Sequence, residues 1–281
     1  MRLVTYCNPL PGSDYEADLR YVAFLALFAR RVYPDIQIFC ASSGDIPDFL
    51  RPTVNLIKFP FDSMPFALAR AVFLKEYVAS SFFTVPTIFT GRDVLILNSL
   101  DNALAASPVV TNYRFNLAMP YCSDFIYVNP SDDDDRLKIR TLFDHFLSTH
   151  RFMPNVIMDG WADQLSWANV LGIPPYHVFN GEPFIAPRAP FVTALPADPW
   201  FLTPQDYFPS KKSDWSFDKW GQTYGEPFEE TTYSTFLEIK YMLHFKGNRK
   251  EQFFEFAKWA MQKNVINPAH FFPKAPSGYF D

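Results

Sequence analysis

The stretch Phe89-Thr90-Gly91-Arg92-Asp93-Val94-Leu95-Ile96-Leu97 carries the first chemistry, an acid placed where an apolar, strand-like run is interrupted. In an open α/β sheet, ligands bind at the carboxyl ends of strands. A carboxylate there can hold a divalent cation, Mg2+ or Mn2+, against phosphate oxygens; an isolated Asp after a glycine can equally be a turn residue. A second segment, Leu243-His244-Phe245-Lys246-Gly247-Asn248-Arg249-Lys250, ends a strand and opens a helix. His244 is a candidate metal ligand. Gly247 lets backbone approach a phosphate, and Lys246 or Lys250 adds positive charge near a helix N-terminus. A cationic loop with a partly exposed histidine would read the same way. Asp163-Gln164 starts another helix, where Asp163 either caps the helix or accepts hydrogen bonds from ligand hydroxyls.

These groups lie far apart in the chain, so a scaffold must gather them. Arg2 to Tyr6 reads as a short buried strand, ended by the turn cluster from Asn8 to Ser13. Ser13 or Asp14 then caps a helix from about Tyr15 to Val32, apolar on most sides and so covered on more than one. Strands follow at Ile36 to Ala41 and Asn55 to Phe59, a helix between Met64 and Ala79, and the interrupted run Pro86 to Leu97. This alternation predicts an α/β fold with a mostly parallel sheet and helices on both faces.

The second half is less regular. Phe125 to Val128 reads as a strand, and a helix follows Pro130-Ser131 with Ile139, Leu142, Phe143, Phe146 and Leu147 in one stripe. Another helix runs from about Ala162 to Leu171 and ends at Gly172. Pro174 to Thr232, rich in Pro and aromatics, reads as long loops with short strands. Ile239 to Phe245 reads as a last strand, and Lys250 to Lys263 as a final helix burying Phe253, Phe256, Ala257, Ala260 and Met261.

Composition narrows the classes. The net charge is −5, which argues against a dedicated nucleic-acid binder, whose affinity needs a basic face, while leaving room for a local groove. Cys7, Cys40 and Cys122 share no paired spacing and read as buried reduced thiols rather than a disulfide framework or zinc site. The longest apolar run, Tyr21 to Ala29, is too short to span a bilayer. No transmembrane segment or leader is expected, and a cytoplasmic protein is. The acidic run Asp132 to Asp135 reads as a solvated helix start. Trp200, Trp215, Trp220 and Tyr224 can stack on sugar rings or pack in a core. His145 and His150, five apart on a helix, read as surface residues.

Taken in order, the segments resemble the GT-A glycosyltransferases, particularly glycosyltransferase family 8, the glycogenin and galactosyltransferase-like family. The resemblance covers most of the chain. MPFALARAVFL is similar to that family's helix ahead of the metal motif and places Arg70 where a basic residue faces the donor. FTGRDVLILNSLDNAL resembles the Asp-x-Asp strand, with Asp93 as the motif's second Asp and Gly91 in place of the first. YCSDFIYVNPS is similar to the Phe-Asn-Ser-Gly segment, with most of those residues replaced. ADQLSWANVLG resembles the Asp-Gln helix start, and HFKGNRK the His-x-x-Gly-x-x-Lys element.

The resemblance implies one GT-A domain over 1–281, with a nucleotide-binding half (1–110) and an acceptor-side half (111–281). It implies transfer of a sugar from a nucleoside-diphosphate-sugar, UDP-sugar favoured, to a hydroxyl of a carbohydrate or glycan. Asp93 and His244 would hold Mn2+ or Mg2+. Thr5, Tyr6, Asn8, Arg70, Gly247 and Lys250 would bind the donor, and Asp163, Gln164 and Arg92 would act in catalysis. With one motif acid missing, Arg92 can instead pair with the diphosphate and lessen the need for metal. Two alternatives stay open: glycosylation of a modified nucleic-acid base, and an inactive nucleotide-sugar-binding module.

Overall fold

A computed structural model describes residues 1–7, 14–113, 121–151, 162–172, 187–196, 200, 230–245 and 250–280. The chain opens with strand β1 (Arg2–Tyr6), helix α1 (Tyr15–Val32), β2 (Gln37–Ser42), β3 (Val54–Lys58) and α2 (Phe66–Ala79). Strands β4 (Thr87–Thr90) and β5 (Val94–Ile96), the short α3 (Asp101–Leu104), β6 (Val109–Tyr113) and β7 (Tyr121–Val128) follow. Then come α4 (Asp133–Arg151), α5 (Ala162–Val170), β8 (Val192–Pro196), α6 (Glu230–Ile239), β9 (Met242–His244), α7 (Lys250–Gln262) and α8 (Pro268–Phe271).

Among the described residues, seven strands form one sheet in the order β3-β2-β1-β4-β7-β6-β8. Every pairing is parallel except those of β7, which runs antiparallel to both β4 and β6. The reversal brings the first residues of β7 to the rim where β4 ends. The expected run from Pro86 to Leu97 is two strands in different sheets, because β5 leaves the main sheet to pair with β9.

Helix α1 begins where the Asp14 side chain accepts a hydrogen bond from the Ala17 amide at 3.0 Å, and acids in its first turn and Arg30 and Arg31 in its last complement the dipole. It is buried nearly all round because α7 covers the side the sheet leaves open. Tyr21 meets Phe253 at 4.7 Å and Phe28 stacks on Phe256 at 5.6 Å; full burial of each such ring contributes on the order of 2 kcal/mol. The opposite face of the sheet carries α2, α4 and α5 over a second core built around Phe73, Phe89, Phe143 and Trp167. The two cores take alternate residues along β1 and the position after it: Leu3 and Cys7 on the α1 side, Val4 and Tyr6 on the α2 side.

Several expectations are revised. Ile239 ends α6 instead of opening a strand. Asn98 Nδ2 donates to the Leu237 and Lys240 carbonyls at 2.9 and 2.7 Å, which satisfies the helix end and limits the strand to Met242–His244. His150 is buried on α4, near Ser166, while His145 is exposed. Trp200 stacks on Tyr241 at 4.1 Å, a packing contact; Trp215, Trp220 and Tyr224 lie outside the described residues. Strands β6 and β8 add to the expected set. All three cysteines are free and buried, as expected. No helix among the described residues is long and apolar enough to cross a membrane.

Candidate active site at the rim of β4 and β7

The site grows from an irregularity in β7. Its register on β6 passes from Thr111↔Ile126 to Asn112↔Cys122, so the ladder skips Ser123, Asp124 and Phe125, which form a bulge. A bulge re-aims side chains but leaves backbone groups needing partners. Here Arg70 donates to the Ser123 carbonyl. Thr90 Oγ1 and the Gly91 amide donate to the Asp124 carbonyl at 2.9 and 3.2 Å, and Thr111 Oγ1 donates to the Phe125 carbonyl at 3.2 Å. The turn after β4 and the bulge in β7 therefore hold each other in place.

Asp124 projects from the bulge and divides its carboxylate between two neighbourhoods. Oδ1 meets Arg70 Nη1 at 2.7 Å. Oδ2 lies 3.5 Å from His244 Nε2 and accepts from the Cys122 thiol at 3.3 Å. His244 Nε2 is also 3.6 Å from Asp93 Oδ1, and its Nδ1 is 3.9 Å from Cys122 Sγ. The β5–β9 pairing produces this meeting: Val94 is opposite His244, and the Phe245 amide donates to the Asp93 carbonyl at 3.0 Å. Asp93 and His244, singled out separately in the sequence, thus come together.

Arg70 is the buried hub on the α2 side. Besides Asp124 and Ser123 it reaches Asp163 Oδ2 at 3.1 Å, and it lies over the Tyr6 ring at 5.0 Å. Asp163 Oδ2 also accepts from Ser123 Oγ at 2.7 Å, and Oδ1 from the Gln164 amide at 2.8 Å. Burial by itself would lower the Arg70 pKa, but Asp124 and Asp163 outweigh it and hold the guanidinium more firmly charged than usual. Burial pushes the Tyr6 hydroxyl pKa up. Arg70 is only 4% exposed, so it organises carboxylates from within.

The remaining predicted residues are placed as follows. Arg92 Nη2 pairs with Asp18 Oδ1 of α1 at 2.7 Å. Tyr6 packs edge-on against Phe73 at 5.6 Å, while Thr5, its neighbour in β1, points to the other face of the sheet and is buried there. Gln164 is buried beside Asp163. Lys250 is the first residue of α7. Asn8 and Gly247 lie outside the described residues. Sequence reading missed Asp18, Cys122, Ser123 and Asp124 as site residues. The usable signal was Ser123-Asp124, a polar pair inside the otherwise apolar run from Tyr121 to Val128.

The residues fit a divalent cation. Among the described residues, the four acids Asp18, Asp93, Asp124 and Asp163 gather around the two arginines Arg70 and Arg92, an acidic balance in a largely buried place. Gly91 keeps the space between the two outer acids: a Cβ on it would lie 2.8 Å from Asp93 Oδ1 and 3.3 Å from Asp124 Oδ1. Asp124, supplied by the neighbouring strand, therefore stands beside Gly91 and Asp93.

The chain matches no family model and no curated protein. Among solved structures it is similar to glycosyltransferase GlyE of Streptococcus pneumoniae TIGR4, at 13% identity over 98% of this chain and 65% of that one, with a TM-score of 0.51. It is similar to galactosyltransferase LgtC in complex with donor and acceptor sugar analogues, at 13% identity over 99% of both chains and a TM-score of 0.50. The bifunctional glycosyltransferase WbbM matches at 12% identity over 94% of this chain and 51% of its own, with a TM-score of 0.51. The chain thus spans just under two thirds of GlyE and about half of WbbM. At these identities the likeness establishes architecture: the α/β sheet, with its reversed strand and flanking helices, has the GT-A glycosyltransferase fold.

Proposed function

We propose that this chain is a glycosyltransferase of the family 8 type. It would move a sugar from a nucleoside-diphosphate-sugar, UDP-sugar favoured, to a hydroxyl of a carbohydrate or glycan, with 1–110 as the donor half and 111–281 as the acceptor half of one domain. The observation that carries this reading is the convergence of Asp93, Asp124 and His244 within 3.6 Å contacts at the rim where β4 ends, on a glycosyltransferase fold.

Asp93 and His244, with Asp124 alongside, would hold a divalent cation. When bound, the cation would offset charge building on the departing diphosphate. The chain's own groups do the rest. Arg70 fixes Asp124 and Asp163 so that neither carboxylate must reorganise during reaction. Arg92, drawn toward α1 by Asp18, would reach the diphosphate only by exchanging that partner. Asp163 and Gln164 would orient the sugar from the start of α5, Thr5, Tyr6 and Asn8 would stand beside the base and ribose, and Gly247 and Lys250 would meet the phosphates.

Thermal-shift measurements with UDP-, GDP-, CMP- and dTDP-sugars, with and without Mn2+, test donor binding. A shift with none of them overturns the proposal. Donor hydrolysis should fall at least about 100-fold in Asp93→Ala, the scale of losing a major electrostatic contact to developing charge.

A further inference from the structure

We propose that Cys122, Asp124, His244 and Asp93 form a mixed sulfur, oxygen and nitrogen centre for a borderline-soft divalent cation of the Zn2+ class. This deepens the functional reading above, because it changes which ion the same rim would hold.

Three observations carry the inference. First, ligand atoms of Cys122, Asp124 and His244 all lie within 4.8 Å of one another, drawn from two strands in different sheets. Second, the separations approach those around one ion, with His244 presenting Nε2 to the carboxylates and Nδ1 to the Cys122 sulfur 3.9 Å away, so that a shared ion would turn the ring toward one side. The Cys122–Asp124 distance is 3.3 Å, and His244 Nε2 lies 3.5 Å from Asp124 and 3.6 Å from Asp93. A tetrahedral ion with bonds of about 2.0–2.3 Å needs ligand atoms about 3.3–3.8 Å apart. Third, the donors grade from buried to accessible: Cys122 and His244 are at most 1% exposed, while the Asp93 and Asp124 side chains are 17% and 15% exposed. The carboxylates therefore give a cation its way in, and the thiol and imidazole form the inner end.

The thiol decides the ion class. Mg2+ and Mn2+ favour oxygen donors, whereas Zn2+ and Co2+ accept thiolate and imidazole readily. Binding forms a metal–sulfur bond and breaks the S–H bond, the proton leaving to solvent past Asp124 Oδ2, which already accepts from that thiol. Arg70 keeps Asp124 Oδ1 occupied, so Oδ2 is the oxygen turned to the metal.

Zn2+ exceeds Mn2+ in affinity at almost any such site, so the test must detect sulfur. The full chain, stripped with chelator, is titrated with Co2+ and followed by absorbance. A thiolate-to-cobalt band in the near ultraviolet, saturating at one ion per chain and abolished by Zn2+, is expected. It should persist in Cys40→Ser and vanish in Cys122→Ser. Zn2+ affinity in Cys122→Ser should fall more than about 100-fold, exceeding the loss typical of second-sphere changes, with Mn2+ affinity changed less than about threefold, as expected for an ion that does not use the thiol. Should Cys122→Ser fail to fold, X-ray absorption on the zinc-loaded wild type decides, with one sulfur expected at about 2.3 Å. No Co2+ or Zn2+ binding, bound Co2+ without the band, or an unchanged Zn2+ affinity in a folded Cys122→Ser overturns the centre. Donor hydrolysis without a sulfur signal would sink this inference alone. A sulfur signal in a chain that binds no nucleotide-sugar would sink the functional proposal alone.

Discussion

The two faces of the sheet treat their arginines differently. On the α2 side, Arg70 is buried and tied to Asp124, Asp163 and the Ser123 carbonyl. On the α1 side, Arg92 pairs with Asp18, and its side chain is 21% exposed. The first arrangement is fixed by cost: a guanidinium taken from water persists only when its partners are complete. The second leaves an arginine able to exchange Asp18 for another anion. A rigid hub on one side and an exchangeable cation on the other suit a site that must hold carboxylates still while a charged ligand comes and goes.

The sharpest way to break this contrast is to remove each arginine in turn. Arg70→Met should destabilise the chain by about 3–5 kcal/mol, because Asp163 and Asp124 would keep their burial and lose their countercharge. Arg92→Met should cost about 1 kcal/mol or less, and chemical denaturation compares the two. Equal losses would erase the distinction. A smaller effect is expected at Gly91. Gly91→Asp restores the familiar motif in sequence but crowds Asp93 and Asp124. Cation affinity measured by calorimetry should fall about tenfold, within the range for a disturbed ligand shell, and Gly91→Asp with Asp124→Gly should recover it. A gain from Gly91→Asp alone would show that Asp124 does not stand in for the missing acid.

The smallest effect belongs to His150, beneath the α2-side face. Burial lowers its pKa, outweighing the opposing pull of Asp163 and the Ala162 backbone. The unfolded chain then binds the proton more readily, so this stability contribution is complete above about pH 6.5 and lost as pH falls below it. Replacing His150 with Asn should flatten the melting temperature between roughly pH 5 and 6.5, a window set by the ordinary histidine pKa. An unchanged slope would assign the pH dependence elsewhere.

Much of this arrangement was legible in the sequence because it rests on local rules. Asp14 before an apolar run marks α1, and the strand and helix alternation marks the parallel sheet. Asp93 and His244 each follow or end a short apolar run. Asp124 was not legible in the same way. Its role comes from a bulge, and a bulge exists only relative to a partner strand: nothing in Ser123-Asp124-Phe125 says that β6 will skip those three residues. Strands β6 and β8 were missed for a related reason, since their short runs are strands because neighbours pair with them. His150 was misread because its burial is imposed by α5, a contact absent from its own helix's pattern.

The contacts that finish the rim span great lengths of chain. Arg70 and Asp163 are 93 residues apart, and Cys122 and His244 are 122 apart. Loops this long close late, after local structure has repaid part of their entropy. The cluster is therefore a property of the completed chain. An ion or donor that binds only the finished cluster would favour the folded chain by mass action, so its occupancy would report that folding has run to the end.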